Sequence, residues 1–427
     1  MSPVFPFDII ALIIDILVGE DYDSDTNFLK EIALVSFLPP ICRKHLFAIV
    51  LLYDADPLCH VASSKKGFVK LLESRPDVVK YIQKLTYTIE FDHLRSPQFS
   101  LQFSPQFSSH LNLDNDDNLL SPILPNFLRT ISRLNSLKIN TSLLDWDALN
   151  PSLTSALLHL MHLPTIKHID LSFIYNFPLS SLAPSVNLLR LDMRRLKTSV
   201  PYSDVPRLED DDPPEFVVQS EILPKIREFR NSESCLLTTK LLNAKLQDGR
   251  PALNFIELRR LSMSSLWYKD NQNIRYVLQN ATLLENLHLS LGYQSLMELR
   301  DVLSLRARTL KVFDLSVSSN PLSALTGLRD EFEVMAGLNS LESLSLEVRV
   351  EGDEAEDVVG SILQQVEEVL VKPGWSALRQ VSFKVHVMPR GDSASLSEAL
   401  QSLPDKYLSH LPKHESVSFN FSAYMWT

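Results

Sequence analysis

One short apolar pattern returns along most of this chain. An apolar residue is followed three positions later by a second and five positions later by a third, as in Leu284, Leu287 and Leu289. This spacing predicts a strand that buries one face. Ten copies lie about 33 residues apart, and they begin at Ile82, Leu134, Ile166, Leu188, Leu223, Leu258, Leu284, Leu310, Leu341 and Leu378.

Helical segments are predicted between the copies. Asn150-Pro151 places a proline in the first turn of one helix, and Ser395 with Glu398 forms the capping box of another. Strand, turn and helix therefore repeat along the chain. This is the pattern of a leucine-rich-repeat solenoid, whose units bury their apolar faces against their neighbours.

The repeat is irregular. Its ninth position, which is Asn or Cys in regular leucine-rich repeats, fits in one of the ten copies, at Asn231. In the copy that begins at Leu223, the apolar residue Phe229 also falls one place late. We predict an α/β fold in which residues 54–427 form an irregular LRR-like solenoid, with insertions near 92–120 and 198–221. The alternative is a compact α/β domain in which the triplets are buried strands.

Glycine and cysteine usage argues against several classes of enzyme. The chain has 10 glycines, and the closest pair, Gly352 and Gly360, is eight positions apart. Phosphate-binding loops and nucleophile elbows place glycines no more than about five positions apart. The three cysteines are isolated and form no CxxC pair, which indicates neither a disulfide scaffold nor a Cys-based zinc site. We predict that the protein is not an enzyme, holds no metal and needs no cofactor.

The charge balance and the apolar runs indicate the partners and the compartment. The chain has 41 Lys and Arg against 52 Asp and Glu, a net charge of −11. This balance argues against nucleic acid or an anionic membrane as the main ligand. The longest apolar run, near 47–53, is too short to span a bilayer, and Lys30 is the first positive charge. We predict an intracellular protein, cytoplasmic or nuclear.

Two sets of polar residues are candidates for chemistry. His159, His162 and His168 are close in sequence, but apolar residues surround them, so a structural role is favoured over zinc binding. Asp145 and Asp147 flank a tryptophan, and their spacing is typical of a turn and a helix start rather than of paired catalytic acids.

Two further segments are predicted at the periphery of the repeats. A basic cluster lies on a repeat edge, facing an acidic run at 209–212, and it consists of Arg190, Arg194, Arg195 and Lys197. The terminal residues 424–427 are predicted to pack on the last repeat, because the end of a solenoid must be covered.

Residues 1–53 are predicted to form a separate helical unit. Apolar residues recur at helical spacing from Ile9 to Leu17, a second helix covers 27–37 and a third covers 41–46. The run 47–53 predicts a buried strand. Because the first helix is apolar on nearly two faces, one face could bind a partner, or both could pack against the following domain.

These N-terminal residues resemble a known family. The runs FPFDIIALIIDIL at 5–17 and LKEIALVS at 29–36 are similar to the two helices of an F-box, a Leu-Pro-x-Glu helix and a Leu-Val-Ser/Cys helix. The segment 33–47 resembles the F-box-like proteins abundant in mushroom-forming fungi. The chain departs from the pattern at Phe5, which replaces Leu, at Asp8, which replaces Glu, and in lacking the Trp after the Val-Ser pair.

The resemblance implies a function in ubiquitin transfer. It implies a substrate-recognition subunit of an SCF-type ubiquitin ligase, which docks a Skp-type adaptor, and through it a cullin, and holds an unidentified target on its repeat domain. By resemblance, the adaptor would be contacted by Pro6, Ile9, Ile10, Ile13, Leu34 and Val35. The alternative is an LRR-like protein-binding scaffold that does not bind the adaptor. A hydrolase would need a nucleophile and base pair that the sequence does not display.

Overall fold

The computed structural model shows two compact units. Unit 1 holds the described residues up to 188 together with 196 and 197, and unit 2 holds residues 189–195 and those from 217 onward. The three predicted N-terminal helices lie outside the described residues. The residues that the structure describes are 47–53, 73, 76–89, 123–197, 217–218, 224–246, 249–251, 253–265, 268–292, 303–318, 321–325, 327–351, 355–388, 393–408, 410–411 and 416–425.

Unit 1 is built on parallel strands that pair in chain order. These strands are β1 (Ile49–Tyr53), β2 (Lys84–Ile89), β3 (Ser136–Asp145) and β4 (His168–Tyr175). In the described part of unit 1, the helices α1 (Ile123–Thr130) and α2 (Pro151–Met161) pack against each other. Short 3₁₀ helices cover Pro76–Tyr81, Trp146–Ala148 and Leu179–Leu182. Helix α2 begins as predicted, because the Asn150 side chain accepts a hydrogen bond from the Ser152 backbone N–H at 2.8 Å.

Unit 2 has a second set of parallel strands, also paired in chain order. They are β5 (Arg190–Arg194), β7 (Glu228–Ser232), β9 (Arg260–Ser265), β10 (Asn286–Leu291), β11 (Val312–Val317), β12 (Ser343–Glu351), β13 (Gln380–Met388) and β14 (Ser418–Met425). The two short strands β6 (Val217–Val218) and β8 (Lys245–Leu246) form a separate ladder. The described chain is therefore a mixed α/β protein with parallel strands, in line with the α/β prediction.

The described helices of unit 2 lie between its strands in chain order. They are α3 (Cys235–Asn243), α4 (Tyr268–Asn280), α5 (Pro321–Ala324), α6 (Leu328–Met335), α7 (Ala355–Leu370) and α8 (Ser393–Tyr407), with a 3₁₀ helix at Ser304–Arg306. Helix α3 packs on α4, α6 on α7, and α7 on α8. Crossovers between parallel strands are almost always right-handed. Strands in chain order therefore place these connections on one face of the unit 2 sheet.

The repeated triplets form the core beneath these helices. In unit 2 their second residues lie in register from strand to strand, and each is at most 2% exposed. These residues are Leu191, Phe229, Leu261, Leu287, Phe313, Leu344 and Val381. The third residues, such as Met193 and Leu289, are buried in the same way. Each apolar position of the triplet therefore forms one buried column of side chains, which runs across the strands of the sheet.

The structure corrects the predicted start of one copy of the repeat. Phe229 pairs with Leu191 and Leu261, so it is the second residue of a triplet that begins at Ile226 rather than at Leu223. The third residue is then Asn231, which is 3% exposed. Asn231 is therefore not the ladder asparagine of a leucine-rich repeat, since it occupies an apolar position of the core.

The strand series extends beyond the ten copies at both ends. The predicted strand at 47–53 is observed as β1, in which Val50 and Leu52 are buried in register with Leu85 and Tyr87. At the other end, residues up to Met425 form β14, which pairs with β13, so Tyr424 and Met425 pack on the last predicted repeat. Phe421 of β14 stacks on Phe383 of β13, with ring centroids 6.1 Å apart.

Candidate functional site

The second face of the unit 2 sheet is polar. On every strand the side chains that alternate with the buried apolar ones point to this face. We call it the polar face. Its first three strands contribute Arg190, Asp192 and Arg194 from β5, Glu228, Arg230 and Ser232 from β7, and Arg260, Ser262 and Ser264 from β9.

A buried acid organises the arginines at this end of the polar face. Asp192 is buried, and its side chain is 1% exposed. It accepts hydrogen bonds from the Arg190 guanidinium, at 2.7 Å from Nη2 and at 3.2 Å from Nε. The Nε of Arg230, on the neighbouring strand, lies 4.0 Å from Asp192 Oδ1. The two-point contact fixes the orientation of the Arg190 guanidinium, as bidentate pairs do.

A second acid, Glu228, is shared by two arginines of neighbouring strands. Glu228 accepts a hydrogen bond from Arg260 Nη1 at 3.0 Å, and Arg190 Nη1 lies 3.6 Å from its other oxygen. Arg194 is exposed, and its neighbour in register is Ser232. Among the described residues Arg194 makes no ion pair. We call Arg190, Arg194, Arg230 and Arg260 the arginine surface. Three of its guanidiniums, those of Arg190, Arg230 and Arg260, lie within 4.0 Å of Asp192 or Glu228.

The predicted basic cluster at 190–197 is divided by the structure. Arg190 and Arg194 lie on the polar face, whereas the prediction placed them on a repeat edge. Arg195 leaves the strand with a left-handed φ of 50° and pairs with Glu233 at 2.7 Å. This hydrogen bond raises the pKa of Arg195. Lys197 belongs to unit 1, where its backbone N–H donates to the carbonyl of Ile174 at 3.0 Å. The acidic run 209–212 lies outside the described residues.

The centre of the polar face places three side chains of triad type in one row. Ser262, His288 and Asp314 lie in register on β9, β10 and β11. No hydrogen bond joins any two of them within the described part of the chain. Burial raises the pKa of Asp314, and the nearby charges of His288 and Lys384 partly oppose this shift. The row therefore has the residue types of a nucleophile–base pair without its contacts.

The raised pKa of Asp314 predicts a pH effect on stability. The folded protein holds this proton more tightly than the unfolded chain, whose Asp pKa is about 3.9. The carboxyl therefore destabilises the fold increasingly as the pH rises from the unfolded pKa to the folded one, and fully above it. Asp314→Asn should raise the free energy of unfolding at pH 7 and lose this advantage below the unfolded pKa. Urea unfolding at several pH values measures it.

The exposed Asp330 supplies the matched control for that experiment. Asp330→Asn removes one negative charge from the same unit outside the polar face. An advantage of Asp314→Asn that stays the same from acid to neutral pH would contradict the prediction.

The last strands of the polar face carry an aromatic pair. The rings of His386 and Tyr424 stack at 5.1 Å with planes 18° apart, and Tyr424 is 49% exposed. Glu347 lies 3.7 Å from His386 Nε2 and 3.4 Å from Arg349 Nη2. This end of the face is therefore closer to charge balance than the arginine surface.

The other candidate residues lie in unit 1 and have structural contacts there. His168 Nδ1 lies 3.0 Å from Ser136 Oγ, and His162 Nε2 lies 2.7 Å from the carbonyl of Ser181. Asp145 caps the 3₁₀ helix at Trp146–Ala148, as predicted, by accepting a hydrogen bond from the Asp147 N–H at 3.1 Å. No group of three or more His, Cys, Asp or Glu in the described segments is arranged to hold a metal ion.

The six predicted adaptor-binding residues lie outside the described residues. They are Pro6, Ile9, Ile10, Ile13, Leu34 and Val35. In contrast, Asp192, Glu228, Arg230 and Arg260 belong to the polar face and were not singled out by sequence. The signal was present in the polar positions between apolar triplet residues. For Glu228 and Arg230 it was hidden because the copy that begins at Ile226 was placed three residues early, at Leu223.

A depression of about 220 Å³ in unit 1 lies beside Val79, Lys80, Phe127 and Thr130. It is smaller than the roughly 300–1,000 Å³ of typical ligand pockets. Within the described ranges, every helix is too short or too polar to cross a bilayer.

The sequence matches no model of a known protein family, and it has no significant match among curated proteins.

Proposed function

We propose that this chain is a substrate-recognition subunit of an SCF-type ubiquitin ligase. In this proposal the N-terminal helices dock a Skp-type adaptor, the repeat domain binds a target protein, and other subunits carry out the catalysis. The observation that carries the target-binding half is the polar face of unit 2. Regular parallel strands present an ordered array of charged and hydroxyl side chains there, and the described connections pack on the opposite side.

We also propose that the repeats form an irregular LRR-like solenoid. Support comes from the pairing of the strands in chain order and from the register of the apolar triplets. Each strand adds one Leu-rich layer to the layer before it, which is how repeat proteins extend their core. In such a fold the strand-lined face is the surface available to a partner.

The adaptor-docking half of the proposal rests on the resemblance of residues 5–17 and 29–36 to an F-box. Apolar side chains on one helix face can enter grooves of a partner, with a few anchors supplying most of the binding free energy. Ile9 and Ile13 are one helical turn apart in the first of these runs. They are therefore the residues to alter.

A pull-down with a purified Skp-type adaptor tests the adaptor-docking half. The full chain should bind, and Ile9→Asp/Ile13→Asp should abolish a micromolar complex, since loss of two apolar anchors costs about 2–4 kcal/mol or more. An Arg194→Gln/Arg230→Gln variant is the control, because it changes the polar face and should retain the adaptor. Thermal unfolding of each variant confirms that it is folded. Failure of the folded wild-type chain to bind would favour the scaffold without adaptor binding.

A further inference from the structure

The arginine surface has more positive charge than its own acids neutralise. Asp192 is shared by Arg190 and Arg230, and Glu228 by Arg190 and Arg260. In sequence, the part of unit 2 up to residue 260 (189–195 and 213–260) contains eleven Lys and Arg against seven Asp and Glu. The whole chain, by contrast, has a net charge of −11. The beginning of unit 2 is therefore a basic region in an acidic protein.

We propose that the arginine surface binds an acidic segment of the target protein, rich in Asp and Glu. This inference deepens the proposed function, because it names the partner chemistry of the polar face, and it rests on that face being the target-binding surface. Arg194 and Arg230 would be the main contacts. Arg194 is exposed, and the Arg230 side chain is 48% exposed, with its only described acidic neighbour 4.0 Å away.

The geometry of the surface suits carboxylates. A guanidinium presents a planar fork of donors that matches a carboxylate in two-point contact. Arg194 and Arg230 lie on neighbouring strands as diagonal neighbours, because Arg194 pairs with Ser232 and Arg230 with Asp192. The hydroxyls of Ser232 and Ser264 lie on the same face. Asp192 and Glu228 already hold Arg190 and Arg260, so part of the site is ordered before a ligand arrives. Such ordering lowers the entropic cost of binding.

The distribution of charge favours a short acidic segment over a long polyanion. The Debye length at physiological salt is about 8 Å, so a short peptide senses mainly the local positive charge. A nucleic acid that extends beyond the arginine surface would meet the rest of a chain whose net charge is −11. Repulsion there would offset the local attraction.

Fluorescence anisotropy with a labelled peptide tests the proposal. The probe is a short fluorescein-labelled peptide in which Asp and Glu alternate with Ser, and the comparison peptide has Asn and Gln in their place. The full chain should bind the acidic peptide, with an affinity that falls as salt rises. Arg194→Gln/Arg230→Gln should weaken this binding about tenfold or more, the loss expected for two charge-assisted contacts.

The matched control is Arg349→Gln/Lys384→Gln. It removes the same charge from the same polar face, at β12 and β13, and should change the affinity by less than about twofold. Three results would overturn the proposal: equal binding of the two peptides, equal affinity of the two double variants, or tighter binding of a single-stranded oligonucleotide than of the acidic peptide. Because no adaptor is present, the outcome is independent of the adaptor pull-down.

Discussion

Asp192→Ala should lower the free energy of unfolding by about 2–4 kcal/mol. The Asp192 side chain is 1% exposed, and its removal leaves Arg190 without the two-point acceptor that orients it. Losing one partner of a fully buried ion pair costs about 3–5 kcal/mol. The loss expected for Asp192→Ala is smaller than this, because the Arg190 side chain is 31% exposed and can turn toward water. Urea unfolding of the full chain, followed by circular dichroism, measures the difference.

Glu228→Ala is the matched control for that experiment. Glu228 contacts Arg190, which it shares with Asp192, and Arg260, but its side chain is 25% exposed. Its loss should cost less than about 1 kcal/mol, as for ion pairs near the surface. If the two variants lose the same stability, the burial of Asp192 does not determine the strength of its contacts.

Asn231→Leu should raise the free energy of unfolding by about 1–3 kcal/mol. Asn231 is 3% exposed and lies between Met193 and Met263 in the third apolar column. Neither its amide nitrogen nor its amide oxygen has a hydrogen-bond partner among the described residues. An amide buried in this way loses its hydrogen bonds to water, and no hydrogen bond to a described residue replaces them. Leucine, which fills this column at Leu289, has a similar shape and no polar atoms to desolvate.

The control for this variant is Asn420→Leu, because Asn420 is an exposed asparagine on strand β14 of the same unit. That change should alter the stability by no more than about 0.5 kcal/mol. A loss of stability in Asn231→Leu would show that the amide is hydrogen-bonded in the folded protein.

The strands were predictable because their signal is local. Leu284, Leu287 and Leu289 lie within six residues, and their alternation describes a strand with one buried face before any partner strand is known. The misplaced copy shows the limit of this signal. Both Leu223 and Ile226 could begin a triplet, and the pairing of Phe229 with Leu191 and Leu261 decides between them. Register is a property of paired strands and not of one strand.

The arginine surface was only partly predictable. Arg190 and Arg194 attracted attention because they are close in sequence. Arg230 and Arg260 lie more than thirty residues further along the chain, and nothing local relates them to Asp192 or Glu228. Parallel pairing of β5, β7 and β9 brings these side chains into contact. Charges that cooperate across strands can be recognised from sequence only when the register of every repeat is known.

By itself, the sequence determined the repeated α/β character of this protein, the apolar columns of its core and the absence of glycine-rich phosphate loops. These properties depend on residue types at short spacings, which act through local sterics and burial. The tertiary structure alone decided that Asn231 lies in the core, that Asp192 is buried beneath arginines and that four arginines form one surface. The physical reason is that burial and ion pairing depend on which strands become neighbours, and those neighbours are distant in sequence.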